Sequence, residues 1–216
     1  MKNPKIPVAL EGYPFILFSA FAALIFAILE IPYAAIPALF ITAFVLYFFR
    51  DPERVHPANP NAFISPADGK VIIAEKISDD RFMQSEVLKI SIFMNVFNVH
   101  VNRFPCSGTV KEVVLNPGKF YSADSEKGAL QNEYCAITVE SENNIKYCVV
   151  QVAGLIARRI ICWAEKGDAL TTGQRYGLIR FGSRVDLYLP VDFEPTVKVG
   201  DKVSAGETIL GFPNNE

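Results

Sequence analysis

Three short stretches carry the side chains best suited to chemistry. Gly182-Ser183 stands just ahead of an alternating apolar run, Val185 to Pro190, which places the serine at or just before the start of a strand. His100 lies within Asn98-Val99-His100-Val101-Asn102-Arg103-Phe104-Pro105, and Asp68 within Ser65-Pro66-Ala67-Asp68-Gly69. A Gly-Ser pair is ordinarily a turn, the glycine taking an unusual φ and the serine capping local backbone. It can also be a self-processing bond. A glycine carbonyl has no Cβ to shield it, and the next hydroxyl can attack it backwards. An imidazole that titrates near neutrality suits the proton transfers of such a reaction. A carboxylate suits the orientation or charge stabilisation of that imidazole. Taken singly, His100 reads equally as a satisfied core histidine and Asp68 as an ordinary Asp-Gly turn.

Composition narrows the chemistry. The chain has 216 residues, two histidines (His56 and His100), and four cysteines in no C-x-x-C pair. Two lone histidines cannot supply the H-x-H set of a lysostaphin-type zinc peptidase, although that class shares a Pro-x-Asp-Gly strand opening; no metal site is expected. Cys106, Cys135, Cys148 and Cys162 read as small buried hydrophobes in a reducing compartment. A net charge of -2 gives no support to nucleic-acid binding.

The elements that must position these residues fall into two parts. Tyr13 to Leu29 and Ile31 to Phe49 are uncharged and apolar, and each approaches the ~17–25 residues that cross a bilayer. Glu30 and Pro32 break the run between them, so residues 1–54 are expected to form a hydrophobic helical hairpin that either spans the membrane or lies in one leaflet. Lys2 and Lys5 flank one end, Arg50 and Arg54 the other, and the connector holds no cation, which predicts both ends on the cytoplasmic side. His56 to Pro60 is a proline-rich linker, with His56 exposed and outside the chemistry.

Residues 55–216 change to short strands and turns. Strands are expected at Val71–Ala74, Val87–Met94 and Gly108–Leu115, with a hairpin of Tyr134–Val139 and Ile145–Val152. Phe120 to Asn132 is a long polar loop, suited to covering a site. Val197 to Gly211 resembles the hairpin of the lipoyl/biotinyl fold, with Gly200-Asp201 and Ala205-Gly206-Glu207 as its turns, and Asp68-Gly69-Lys70-Val71 resembles the facing half. The predicted fold class is mostly β, a lipoyl-like (barrel-sandwich-hybrid-like) β-sandwich with a few short helices, preceded by the hairpin. Such a fold does not fix function. Lys70 lacks the context of a carrier lysine. A membrane-fusion adaptor would carry long coiled-coil heptads, and none are present.

Taken in order behind a membrane hairpin, Phe48-Phe49-Arg50-Asp51-Pro52, Ser65 to Gly69, Asn98 to Pro105, Gly182-Ser183 and the lipoyl-like tail resemble the short form of the phosphatidylserine decarboxylase family. The resemblance implies a membrane-bound zymogen that cuts itself between Gly182 and Ser183 into chains 1–182 and 183–216. Ser183 Oγ attacks the Gly182 carbonyl, and the serine ends as a covalent pyruvoyl group, the only cofactor. That group forms a Schiff base with phosphatidylserine and turns it into phosphatidylethanolamine and CO2. Ser183, His100 and Asp68 are then the catalytic residues, and Gly182 supplies the cleaved carbonyl. Longer bacterial members carry H-x-x-H, whereas Arg103 holds the second position here. Either His100 serves both self-cleavage and decarboxylation, or Asp68 or water takes one step. Arg103, Lys119, Arg158 and Arg184 are candidate substrate contacts by position only. The implied partners are a phospholipid, the membrane and the chain's own two fragments as a heterodimer, with a higher homo-oligomer left open. The implied location is the cell membrane, catalytic domain on the cytoplasmic side. The alternatives are a related serine phospholipid as substrate, such as archaetidylserine, or a non-catalytic membrane-anchored adaptor.

Overall fold

A computed structural model describes residues 7–125, 128, 131–154, 159–180 and 182–214. The chain divides into two compact units, Met1–Glu53 and Arg54–Glu216.

In the first unit a short 3-10 turn, Leu10–Gly12, leads into α1 (Tyr13–Ile28), and α2 is Pro32–Phe48. Both helices carry proline in the first turn, where a missing N–H costs nothing. Glu30 closes the connector in the left-handed region, φ 56. Leu10–Ile28 is long and apolar enough to cross a membrane, and Pro32–Phe48 is shorter. Apolar side chains such as Leu17, Phe18, Phe21, Leu39 and Phe40 project outward from the pair, more than half exposed, the reverse of a soluble helix pair. The two ends of the hairpin are tied together. Ala9 N donates to Phe49 O at 2.8 Å and Asp51 N to Pro7 O at 2.8 Å. The Phe15 and Phe49 rings stack with centroids 5.5 Å apart.

The second unit, among the described residues, is built mainly of strands. They are β1 (Phe63–Ile64), β2 (Gly69–Asp79), β3 (Ser85–Met94), β4 (Val101–Arg103), β5 (Gly108–Asn116), β6 (Tyr134–Ser141), β7 (Lys146–Val152), β8 (Ile160–Cys162), β9 (Ala169–Leu170), β10 (Arg175–Ile179), β11 (Ser183–Pro190), β12 (Glu194–Pro195), β13 (Lys202–Val203) and β14 (Ile209–Phe212). Eight of them form one sheet in the order β13-β2-β3-β11-β7-β6-β5-β9, and two three-stranded sheets, β4-β10-β8 and β1-β14-β12, complete the unit. The mostly-β sandwich-like class expected from the sequence is what forms.

Strand β11 sits inside the large sheet, with β3 and β7 as antiparallel neighbours. Seven of its eight residues are buried, so it is covered on both faces. Alternation sends Ser183, Val185, Leu187 and Leu189 to one side and Arg184, Asp186 and Tyr188 to the other. The first side joins the main apolar core with Ile90, Ile92, Met94, Tyr147 and Val149. Phe63 fills that core between Tyr147 and Phe193, edge to face, at 5.1 and 4.8 Å. The tail meets the Asp68 turn, with Lys202 opposite Lys70 and Val203 opposite Gly69. Two further backbone bonds, Ser65 N to Thr208 O and Gly206 N to Ser65 O, hold the tail at 2.8 Å each.

Cys106, Cys135 and Cys148 are buried, Cys162 is half-buried, and none is in a disulfide. Burial, with help from Glu142, pushes the Cys106 thiol up to about 11, and burial pushes Cys148 to about 12. A hydrogen bond from Cys135 lowers Cys162 and raises Cys135. Because the thiolate is the reactive form, iodoacetamide at pH 8 is expected to modify Cys162 first. Cys106 and Cys148 should label only as the chain unfolds. Peptide mass mapping checks this, and equal labelling of all four cysteines in the folded chain would contradict it.

Candidate active site

The Gly182–Ser183 bond lies where β11 begins, and three neighbours fix it. Ser183 pairs directly with Met94, the last residue of β3. Arg184, the next residue, pairs with Val152 at the end of β7. Beyond β7, Gly154 comes so close that a Cβ built on it would stand 1.9 Å from the Gly182 carbonyl oxygen. Gly182 itself has φ +67, with open space where its own Cβ would be. The two glycines therefore answer different demands. Position 182 needs a left-handed backbone, which side chains other than glycine adopt at a cost of ~1–2 kcal/mol. Position 154 needs the absence of an atom.

Ser183 is fully buried. Its hydroxyl donates to the Met94 sulfur at 3.8 Å, a long, weak bond that leaves the oxygen little stabilised. Asn102 Nδ2 approaches the same sulfur at 3.7 Å, and Gln151 Nε2 donates to Asn102 Oδ1 at 2.9 Å.

His100 is brought to the same neighbourhood by backbone pairing. Its carbonyl accepts from Ile179 N at 3.3 Å, while Ser183 pairs with Met94. The 94–100 and 179–183 segments are thus tied to each other at both ends. The ring is fully buried, and Nδ1 lies 3.0 Å from Asn98 O. A carbonyl only accepts, so Nδ1 donates and the lone pair of the neutral ring falls on Nε2.

Asp68 takes other partners. Its carboxylate accepts from Arg54 Nη2 at 3.0 and 3.3 Å and from Ala205 N at 2.7 Å. Arg54 also pairs with Glu207 at 2.6 Å. The expected Asp68–His100 contact is therefore not made here; Asp68 joins its turn to the tail, and Asn98 orients the imidazole.

The four basic candidates separate. Arg184 is almost wholly buried and grips Asp186 through Nε and Nη2, both at 2.6 Å. Burial alone would lower its pKa, but Asp186 outweighs that and raises it. Its charge is neutralised on the sheet face opposite Ser183. Arg103 is buried, sends Nη1 to Gly173 O at 3.0 Å, and packs its side chain against Gly206. Lys119 sits at the base of the long loop, its N–H donating to Gln131 O at 2.7 Å. Arg158 lies outside the described residues.

The described part of the loop between Phe120 and Asn132 reaches the bond. Ala123 is buried, its Cβ is 3.5 Å from where a Gly154 Cβ would be, and its carbonyl accepts from Arg184 Nη1 at 3.4 Å. Asn132 pins the loop: Oδ1 accepts from Tyr121 N at 2.7 Å, and Nδ2 donates to Tyr121 O at 2.8 Å and Ala153 O at 2.7 Å. The sequence alone gives no site role to Asn132, Gly154, Arg54, Met94, Asn102 or Gln151. Two of them leave a trace: a glycine two residues past a strand marks close backbone approach, and Gln151 interrupts the apolar side of β7.

Comparison with known proteins adds to this geometry. The sequence pattern of the phosphatidylserine decarboxylase family matches residues 41–211. A protein of Desulfotalea psychrophila named phosphatidylserine decarboxylase proenzyme is 59% identical over 211 residues, which is 98% of this chain and 99% of that protein. A protein of the same name from Oleidesulfovibrio alaskensis is 50% identical, with 97% of this chain and 96% of that protein covered. Another from Geotalea uraniireducens is 49% identical, with 98% and 99% covered.

The pin at Asn132 can be tested by itself. Asn132→Ala removes three hydrogen bonds in a buried setting, so a loss of about 2–3 kcal/mol in urea unfolding is expected. Faster hydrogen exchange at the Tyr121 amide should accompany it. Unchanged stability and exchange would show that the loop is held by something else.

Proposed function

The chain belongs to the phosphatidylserine decarboxylase family, and from that premise we propose that it converts phosphatidylserine to phosphatidylethanolamine and CO2 after cutting itself between Gly182 and Ser183. The observation that carries the proposal is the junction itself. A glycine in a left-handed backbone precedes a buried serine, with its carbonyl in the space left by the missing Cβ of Gly154.

The proposed cut passes through an ester. Ser183 Oγ bonds to the Gly182 carbonyl carbon, the peptide C–N bond breaks, and the freed nitrogen takes the hydroxyl proton, leaving an ester. Loss of the Cα proton then expels Gly182 as a carboxylate and leaves a dehydroalanine. Water adds and ammonia leaves, so the 183–216 chain begins with a pyruvoyl group. Ser183 fits this conversion because its oxygen has only a weak sulfur contact to break. When formed, the pyruvoyl supplies an electron sink for the pair left behind by CO2.

His100 is the proposed acid and base, acting through Nε2 because Asn98 holds Nδ1. Asp68 is the proposed carboxylate of the set, held in the uncut chain by Arg54 and Ala205. With Arg184 neutralised by Asp186, Arg103, Lys119 and Arg158 remain as proposed contacts for the phosphodiester. The fragments are expected to stay together as a heterodimer. The smaller one carries β11, hydrogen-bonded between β3 and β7, and the tail strands β12 to β14. The proposed location is the cell membrane, with the hairpin as anchor and the catalytic unit on the cytoplasmic side. The outward apolar side chains of α1 and α2 and the flanking Arg50 and Arg54 support it.

Intact mass of the purified protein tests the reading. Two fragments, 1–182 and 183–216, are expected, the smaller blocked to N-terminal sequencing, and Ser183→Ala should stay whole. His100→Ala should lose at least about 100-fold in either cutting or decarboxylation. A wild-type chain that stays intact contradicts the decarboxylase reading. A His100→Ala chain that both cuts and decarboxylates normally contradicts the assignment of His100 alone.

A further inference from the structure

On β7, alternation points Tyr147, Val149 and Gln151 into the main core, with Ala153 following. Tyr147, Val149 and Ala153 belong to its apolar cluster. Gln151 does not, yet it is fully buried, directly opposite Val185 of β11 and so on the same side of the sheet as Ser183. The fold makes room for its polar head. A Cβ on Gly177 would stand 2.7 Å from Gln151 Nε2, and Gly177 pairs with Asn102 between β10 and β4.

Only half of that polar head is satisfied. Nε2 donates to Asn102 Oδ1 at 2.9 Å, but Gln151 Oε1 has no hydrogen-bond partner among the described residues. Asn102, also fully buried, uses its own donor poorly. Nδ2 reaches only Pro66 O at 3.5 Å and the Met94 sulfur at 3.7 Å, both at the outer limit of such contacts. The Ser183 hydroxyl meets the same sulfur at 3.8 Å. A buried amide with an idle acceptor is costly, and an apolar side chain of the same size would remove the cost. The pair thus offers one acceptor and one under-used donor, and Asn102 shares the Met94 sulfur with the residue that is converted to the pyruvoyl group.

We propose that Gln151 and Asn102 together recognise the serine head group, Gln151 Oε1 accepting from its amino nitrogen and Asn102 Nδ2 donating to its carboxylate. The proposal rests on the decarboxylase reading. The chemistry fits the head group, which carries a nitrogen donor and a carboxylate acceptor on one carbon. It also fits the reaction. A guanidinium at that position would stabilise the charge that the reaction removes, whereas a neutral amide holds the carboxylate without deepening the ground state. Of the arginines next to Ser183 and Asn102 in sequence, Arg184 is turned to the other face and engaged by Asp186, and Arg103 sends Nη1 to Gly173 O at 3.0 Å.

The test uses the full chain with two variants. Asn102→Asp keeps the oxygen that Gln151 Nε2 uses and replaces the donor with a second oxygen. Gln151→Met keeps the length and apolar contacts and removes the amide. Intact mass first establishes that each variant is cut at 182/183, as wild type is. KM for phosphatidylserine and inhibition by phosphatidylethanolamine, both in detergent mixed micelles, then separate the roles. Asn102→Asp should raise KM for phosphatidylserine about 10- to 100-fold while changing inhibition by the carboxylate-free product by no more than about twofold. Gln151→Met should weaken both lipids, since both carry the amine. Equal effects of Asn102→Asp on the two lipids, or no effect of either variant, overturn the proposal. Loss of cutting in both variants does so too, because it assigns the pair to the cut. A wild-type chain that neither cuts nor turns over lipid removes the underlying reading itself.

Discussion

Everything at this site depends on how closely two backbones approach. The chain leaving β7 passes the chain entering β11 with no atom to spare between Gly154 and the Gly182 carbonyl. That contact fixes where the carbonyl points. The pairing of Ser183 with Met94 fixes where the hydroxyl begins. A bond between a left-handed glycine and the first residue of a strand held on both sides is not free to relax by moving either partner. The reactivity proposed for it would be a consequence of the sheet rather than of the two residues.

A chain cut at the proposed position could keep one structure. Strand β11 is covered on both faces and bonded along both edges, so the hydrogen bonds that would hold the 183–216 fragment do not pass through the severed peptide. The tail adds a second attachment. Ala205 N caps Asp68, and Glu207 shares Arg54 with it. The loop pinned by Asn132 closes a third side, with Ala123 against Gly154 and bonded to Arg184. Arg184 and Asp186 form a buried pair on the reverse face of the same strand, close enough to Ser183 in sequence to keep its start rigid.

Much of this was legible in the sequence, and the reasons differ by residue. The apolar helices and the strands at 85–94, 134–141 and 183–190 follow from periodicity. The lipoyl-like tail and the Asp68 turn were visible as facing halves because their turn residues are specific. Gly182-Ser183 could be singled out only through its order among other motifs. The Asp68–His100 contact was expected by analogy with a triad, but the chain instead places Arg54 against Asp68. Arg54 had been read only as a flank of the hairpin, and no local pattern shows that a residue 14 positions away will claim the carboxylate. Gly154, Asn132 and the Gln151–Asn102 pair were hidden for the same reason. Their meaning comes from which strands are neighbours, and strand order is not written in any one segment.

The most direct measurement is the rate at which newly made precursor yields the 183–216 fragment, followed by mass spectrometry for the wild type and for Gly154→Ala. The added methyl would lie 1.9 Å from the Gly182 oxygen, so the carbonyl must turn away from its present direction. Cutting is expected to be at least ~10-fold slower, corresponding to about 1.4 kcal/mol in the barrier, with the full-length chain accumulating in folded form. Cutting at the wild-type rate in a folded Gly154→Ala chain would contradict it.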